Sequence, residues 1–223
     1  MSEISNALAR TAIVYPDSDG QPMAENTLQF EWIVTLKGGY DALFRDRPDV
    51  FVAGDLLWYP VEGDNTLRTA PDVLIAFGRP KGYRGSYMQW REGGIAPQVV
   101  FEVLSPGNRA AELVRKFRFY EHYGVEEYYV YDPDSAELGG WIRSGEELRE
   151  VEPIEGYASP RLGTRFDLTT GKLHVLAPDG RPFATYLELV AQRDEAERRR
   201  AEIESRAERL AARLRQLGVD PEP

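Results

Sequence analysis

Three ionizable residues stand where chemistry could be done. Asp72 opens the run PDVLIAF, and Glu102 interrupts QVVFEVL, a stretch otherwise suited to a buried strand. On a period of two, Val99, Phe101 and Val103 face one way while Gln98, Val100, Glu102 and Leu104 face the other. An ionized carboxylate alone in that setting is costly, so Glu102 needs a partner: a buried arginine, Lys116 or a bound cation. Two carboxylates converging from neighbouring strand ends form an oxygen-rich site for Mg²⁺ or Mn²⁺. Asp72 by itself also reads as an ordinary turn or cap before a strand. The third residue, Lys116, falls in a helix expected over 109–123, beside the apolar face Leu113, Phe117 and Tyr120. From there its amine can reach inward along a packed stem. Glu112 precedes it by four residues, which also allows a plain helical Glu–Lys pair, and Tyr120 follows it by four. The chain has 23 arginines and four lysines, and every other basic residue on this helix is arginine: Arg109, Arg115 and Arg118. A lysine at 116 therefore suggests that a compact point charge is wanted.

The elements that must position these groups follow from local pattern. Apolar residues at Leu28, Trp32, Ile33, Leu36, Tyr40 and Leu43 predict an amphipathic helix over 24–44, stopped or kinked near Gly38-Gly39. Strands are expected over 49–59, 72–77, 98–104 and 127–131, with short hairpins from 137 to 180 and a turn at Thr169-Thr170-Gly171-Lys172. Asn108 is the expected N-cap of the helix carrying Lys116, and Gly124 its stop. The connection 78–97 is rich in glycine and aromatics. Arg79, Lys81, Arg84 and Arg91 against Glu92 give it a local charge of +3. With Tyr83, Tyr87 and Trp90 it could bind nucleic acid, or it could simply pack on the sheet.

The chain has 223 residues, 42% hydrophobic and 29% charged, which predicts one cored domain with appendages. The expected divisions are an arm at 1–22, a domain at 23–183, an amphipathic and coiled-coil-like helix at 184–218, and a tail at 219–223. With no cysteine, disulfides, thiolate nucleophiles and cysteine-bound zinc are excluded, and a cytoplasmic setting is natural. His122 and His174 are the two histidines; both are expected to be surface or partly packed residues. Neither a signal peptide nor a membrane span is expected. The net charge of −10 gives no general attraction to phosphate backbones, so contact with nucleic acid would need a local basic surface or a cation. In the last segment Leu189, Ala196, Ile203, Leu210 and Leu217 fall seven apart, with Ala207 and Leu214 three residues before the last two. The matching earlier positions, Arg193 and Arg200, are charged, so self-association as a homodimer is expected through the last two heptads. The alternatives are a solvated helix lying back on the body or, least of all given its interleaved acids, a nucleic-acid-binding helix. Gly218 should end the helix.

The order helix–Asp72–Glu102–Lys116–strand resembles the PD-(D/E)XK restriction-endonuclease-like superfamily, and within it a bacterial endonuclease-like group abundant in cyanobacteria. The resemblance is carried by Ala70-Pro71-Asp72-Val73 and by the run Pro97 to Pro106 with Glu102 within it. It continues through Glu112-x-x-x-Lys116-x-x-x-Tyr120 and the run Tyr123 to Pro133. It spans roughly 24–180. It implies an α/β fold with a restriction-endonuclease-like core of helix, three strands, helix and strand, extended here by hairpins and the long C-terminal helix. It also implies a divalent cation, Mg²⁺ or Mn²⁺, and phosphodiester hydrolysis in DNA. Matched by position, Asp72 and Glu102 would ligate the metal together with the carbonyl of Val103. Lys116 would orient the attacking water or stabilise charge on the phosphate. Glu112, Tyr120 and an acid of the first helix, Glu25 or Glu31, would support them, and Asp55 is a further candidate. The superfamily pattern places its lysine two residues after the acid; that place holds Leu104 here, and the amine comes from the following helix. The alternative function is a non-catalytic protein of the same fold, binding or scaffolding through its C-terminal helix.

Overall fold

The computed structural model describes residues 13–18 and 20–217. Most of the 1–22 arm, the 219–223 tail and Gly218 lie outside the described residues. The chain divides into two compact units, one ending at Phe183 and one beginning at Ala184.

The first unit is built on a six-stranded mixed sheet. Its elements in chain order are α1 (Thr27–Leu43), β1 (Val50–Gly54), β2 (Trp58–Tyr59), β3 (Val73–Phe77), β4 (Tyr87–Met88) and a short 3₁₀ turn (Gln89–Glu92). Then come β5 (Val99–Val103), α2 (Ala110–Tyr123), β6 (Glu127–Asp132), β7 (Glu137–Ser144), β8 (Glu147–Glu150), β9 (Arg165–Asp167) and β10 (His174–Leu176). The sheet order is β1-β3-β5-β6-β7-β8. Only β5 and β6 within it run parallel, and α2 is the crossover that such a pair requires. Ile33, Leu36 and Tyr40 of α1 pack with Val73, Val99, Phe101 and Val103 on one face; Tyr120 of α2 packs with Leu74, Val100 and Tyr128 on the other. This is the mixed α/β architecture of helix, strands, crossover helix and strand, with added hairpins.

Several local expectations change. Asn26 caps α1, accepting from the Gln29 N–H at 2.8 Å, and the helix runs through Gly38-Gly39 without a stop. Glycine at 39 serves packing instead: a Cβ there would overlap the Phe183 ring. The strand expected over 49–59 is two strands, broken at Asp55, whose φ is +46°. Arg109, not Asn108, is the N-cap of α2. The Asn108 side chain instead accepts from the Ser105 N–H at 2.6 Å, tying down the turn after β5. Gly124 does stop α2, at φ +93°.

The second unit is the helix α3 (Tyr186–Gln216), opened by a capping box in which Thr185 and Glu188 bond reciprocally. No residue of it is buried. Among the described residues no helix is long and apolar enough to cross a membrane.

Candidate active site

Antiparallel pairing of β3 with β5 sets Val73 opposite Phe101, which brings Asp72, one residue before β3, beside the end of β5. There the Val103 N–H donates to Asp72 Oδ2 at 2.6 Å. Glu102 points to the α2 side of β5 and is 3% exposed. The four-residue spacing of Lys116 and Tyr120 places both one turn apart on the facing helix, so that together they engage both of its oxygens. Lys116 Nζ donates to Glu102 Oε2 at 2.7 Å and the Tyr120 hydroxyl donates to Oε1. Lys116 also reaches the Ala70 carbonyl at 3.3 Å, just ahead of Asp72. Asp72, Glu102 and Lys116 thus converge. Lys116 is the partner that Glu102 needs.

The electrostatics of this trio are unbalanced. Burial, and then the negative charge of Glu102, push the Asp72 carboxyl up to about 8, with a smaller contribution from Asp55. Burial works against the Lys116 ammonium, but Glu102 and Asp72 outweigh it and hold the amine above its ordinary value. Two buried acids face one ammonium, an excess of one negative charge when both are ionized. Among the described residues no group of three or more His, Asp or Glu side chains is arranged to hold a metal ion. The acids available at this point are the pair Asp72 and Glu102. Hard oxygens with a surplus negative charge fit Mg²⁺ or Mn²⁺ in chemistry. In the structure both acids are already engaged by protein donors, as is the Val103 carbonyl, which accepts from Gln29 Nε2 at 2.8 Å.

Gln29 is the supporting residue that sequence pattern did not single out. It occupies the buried stripe of α1 four residues before Ile33, where a polar side chain is the signal of an inward contact. Its Oε1 accepts from the Glu25 N–H at 2.8 Å, so it links the start of α1 to the end of β5. The Glu25 carboxylate accepts from the Ser105 hydroxyl, beside the β5 end, rather than joining Asp72 and Glu102. Glu112 is half-buried and acts on Lys116 through its charge, and Glu31 is exposed. Asp55 is half-buried, and its backbone N–H donates to the Asp72 carbonyl at 3.1 Å.

In the basic connection 78–97, some side chains are engaged within the protein and others are left exposed. Arg84 forks onto Glu92, Nε to Oε1 at 2.6 Å and Nη2 to Oε2 at 3.1 Å, and lies over the Phe51 ring at 4.0 Å. Arg79 donates to the Glu92 carbonyl and approaches its carboxylate at 3.6 Å. Both guanidiniums are held inside the segment by Glu92, which balances one of their two charges, and Lys81 and Arg91 are left as its exposed cations. Tyr87 is buried, its hydroxyl donating to the Ile95 carbonyl at 2.8 Å, and Trp90 packs on Tyr15 with ring centroids 5.0 Å apart. Tyr83 alone of the three aromatics stands out into solvent. His122 is exposed, and His174 is half-buried with its ring 2.9 Å from the Thr170 hydroxyl.

A family model, Uma2, described as "Putative restriction endonuclease", matches residues 19–175. A crystal structure described as a putative nuclease belonging to DUF820 from Anabaena variabilis aligns with 16% identity and a TM-score of 0.49. The alignment covers 64% of this chain and 77% of that one. No curated protein matches.

Proposed function

The chain belongs to the Uma2 family of restriction-endonuclease-like proteins, and from that premise we propose that it is a cytoplasmic, divalent-metal-dependent nuclease that hydrolyses phosphodiester bonds in DNA. The observation that carries the reading is the convergence of two buried acids on one ammonium, where a bound cation would displace the proton that burial holds on Asp72. Asp72, Glu102 and the Val103 carbonyl would hold Mg²⁺ or Mn²⁺, which when bound supplies a water of lowered pKa and neutralises phosphate charge. Lys116 stays protonated at neutral pH, so its role is electrostatic: it stabilises negative charge that develops on the phosphate, and it is not the general base. Tyr120 holds the second oxygen of Glu102 and so fixes the rotation of that carboxylate. Gln29 orients the Val103 carbonyl from the opposite face of the sheet. Lys81 and Arg91 would contribute phosphate contacts.

The test is cleavage of plasmid and linear DNA with Mg²⁺ and with Mn²⁺ by the full chain, beside Glu102→Gln and Lys116→Met. Cation-dependent cleavage that falls at least about 10²-fold in both variants supports the proposal. Cleavage that survives both changes overturns the assignment. The exposed heptad residues of α3 favour a second, compatible reading, in which the chain self-associates as a homodimer through that helix and can scaffold without cleaving.

A further inference from the structure

We infer that α3 pairs with a second copy of this chain as a parallel, in-register coiled coil, an inference that rests on the self-association reading above. The apolar residues Leu189, Ala196, Ile203, Leu210 and Leu217 set a d seam, and the a positions are then Tyr186, Arg193, Arg200, Ala207 and Leu214. From Ile203 onward every a and d position is apolar. Ile203 is 68% exposed, Leu210 54% and Leu217 71%, large side chains lying seven residues apart on one stripe of a helix that buries nothing.

Orientation follows from the charges that flank this seam. The g positions are Gln192, Arg199, Arg206 and Arg213, and the e positions are Val190, Glu197, Glu204 and Ala211. No acid occupies g and no base occupies e. In a parallel pair, g of one helix meets e five residues further along the other, so Arg199 faces Glu204 of the partner subunit, and Gln192 faces Glu197 of the partner subunit. In an antiparallel pair g meets g and e meets e, which sets arginine against arginine and glutamate against glutamate. Complementarity therefore selects a second copy running the same way. The two charged a positions have acids on their own helix: Arg193 binds Asp194 at 2.7 Å, and Arg200 binds Glu204 at 3.0 Å. In the pair that Glu204 carboxylate is shared with the partner's Arg199, which itself also binds Glu195 of its own helix at 2.8 Å. Arg206 and Arg213 form no ion pair with the described residues. The apolar half beyond Ile203 supplies the association, and the charged half before it supplies the direction.

Absence of cysteine makes the test clean, since any introduced thiol is the only one in the full chain. Ala207→Cys and Leu217→Cys lie at seam positions roughly 15 Å apart along the helix, and Ser205→Cys points away from the seam. Sedimentation of the wild-type chain should show a concentration-dependent dimer. Mild oxidation should then cross-link both seam variants and not Ser205→Cys. An antiparallel pair brings only its central residue against itself, so it cannot cross-link at both 207 and 217. A dimer that cross-links at one seam position or neither overturns the parallel register and leaves self-association standing. A wild-type chain that sediments as a monomer overturns both.

Discussion

Glu102 and Glu127 lie on the paired parallel strands β5 and β6 and are equally hidden, at 3% and 2% exposed, yet they are held in opposite ways. Strand alternation turns Glu102 toward α2 and Glu127 toward the α1 face. Glu127 is bonded only by neutral donors: the Tyr129 hydroxyl at 3.0 Å, the Ser159 hydroxyl and the Arg161 N–H at 2.7 Å. The Arg161 guanidinium forks instead onto Glu126. Glu127 therefore fastens the 159–161 turn to the sheet, and its oxygens are saturated. Glu102 is held by an ammonium that also answers to Asp72. A buried carboxylate saturated by dipoles is a structural staple. One that shares a single ammonium with a second buried acid keeps that acid protonated at the cost of its charge, which is how perturbed groups at functional sites are arranged.

The strongest way to break this comparison is to remove the shared cation. Lys116→Met should destabilise the fold by about 3–5 kcal/mol in urea titrations, because it strands Glu102 beside Asp72. Much of that loss should return in Lys116→Met/Glu102→Gln, and a double variant as unstable as the single would show that the two side chains are not coupled. Next, under the proposed nuclease activity, Glu127→Gln should leave DNA cleavage per folded molecule unchanged while lowering the melting temperature, whereas Glu102→Gln should remove cleavage. Equal loss of activity in both would erase the distinction between staple and site. Ser159→Ala, which deletes one neutral donor to Glu127, should cost about 1–3 kcal/mol by the same titration. The comparison can also be tested through pH dependence. Asp72 is raised from about 4 in the unfolded chain to about 8 in the fold, so the folded state holds the extra proton. Its favourable contribution is complete below the unfolded value and is lost as pH rises through the folded one. With metal chelated, stability should fall between about pH 4 and 8 by at most roughly 1.4 kcal/mol per pH unit, and Asp72→Asn should flatten that slope. Glu127, also raised by burial, contributes with the same sign.

Much of the site was legible because its signals are local. A charge inside an apolar strand, a lysine four residues before a tyrosine on a helix, and a lone Pro-Asp before a strand are all visible in a single chain. Glu127 escaped notice for the same reason in reverse: it stands at the first position of its strand, where an acid is unremarked, and its three donors come from Tyr129 and from a turn some thirty residues on. The composition of 78–97 suggested a cationic surface, but composition counts Glu92 as one charge among five. The fold makes it the anchor of two arginines.

By itself, then, the sequence determined the run of helices and strands, the acids and the lysine that belong together, and the heptad stripe of α3, because periodicity and burial cost act over a few residues. The tertiary structure alone decided that α1 continues past Gly38-Gly39 under Phe183, that Gln29 rather than Glu25 reaches Val103, and that Lys116 and Tyr120 divide the two oxygens of Glu102. Those outcomes depend on which distant segments are brought into hydrogen-bond range, and no local pattern encodes a distance between elements.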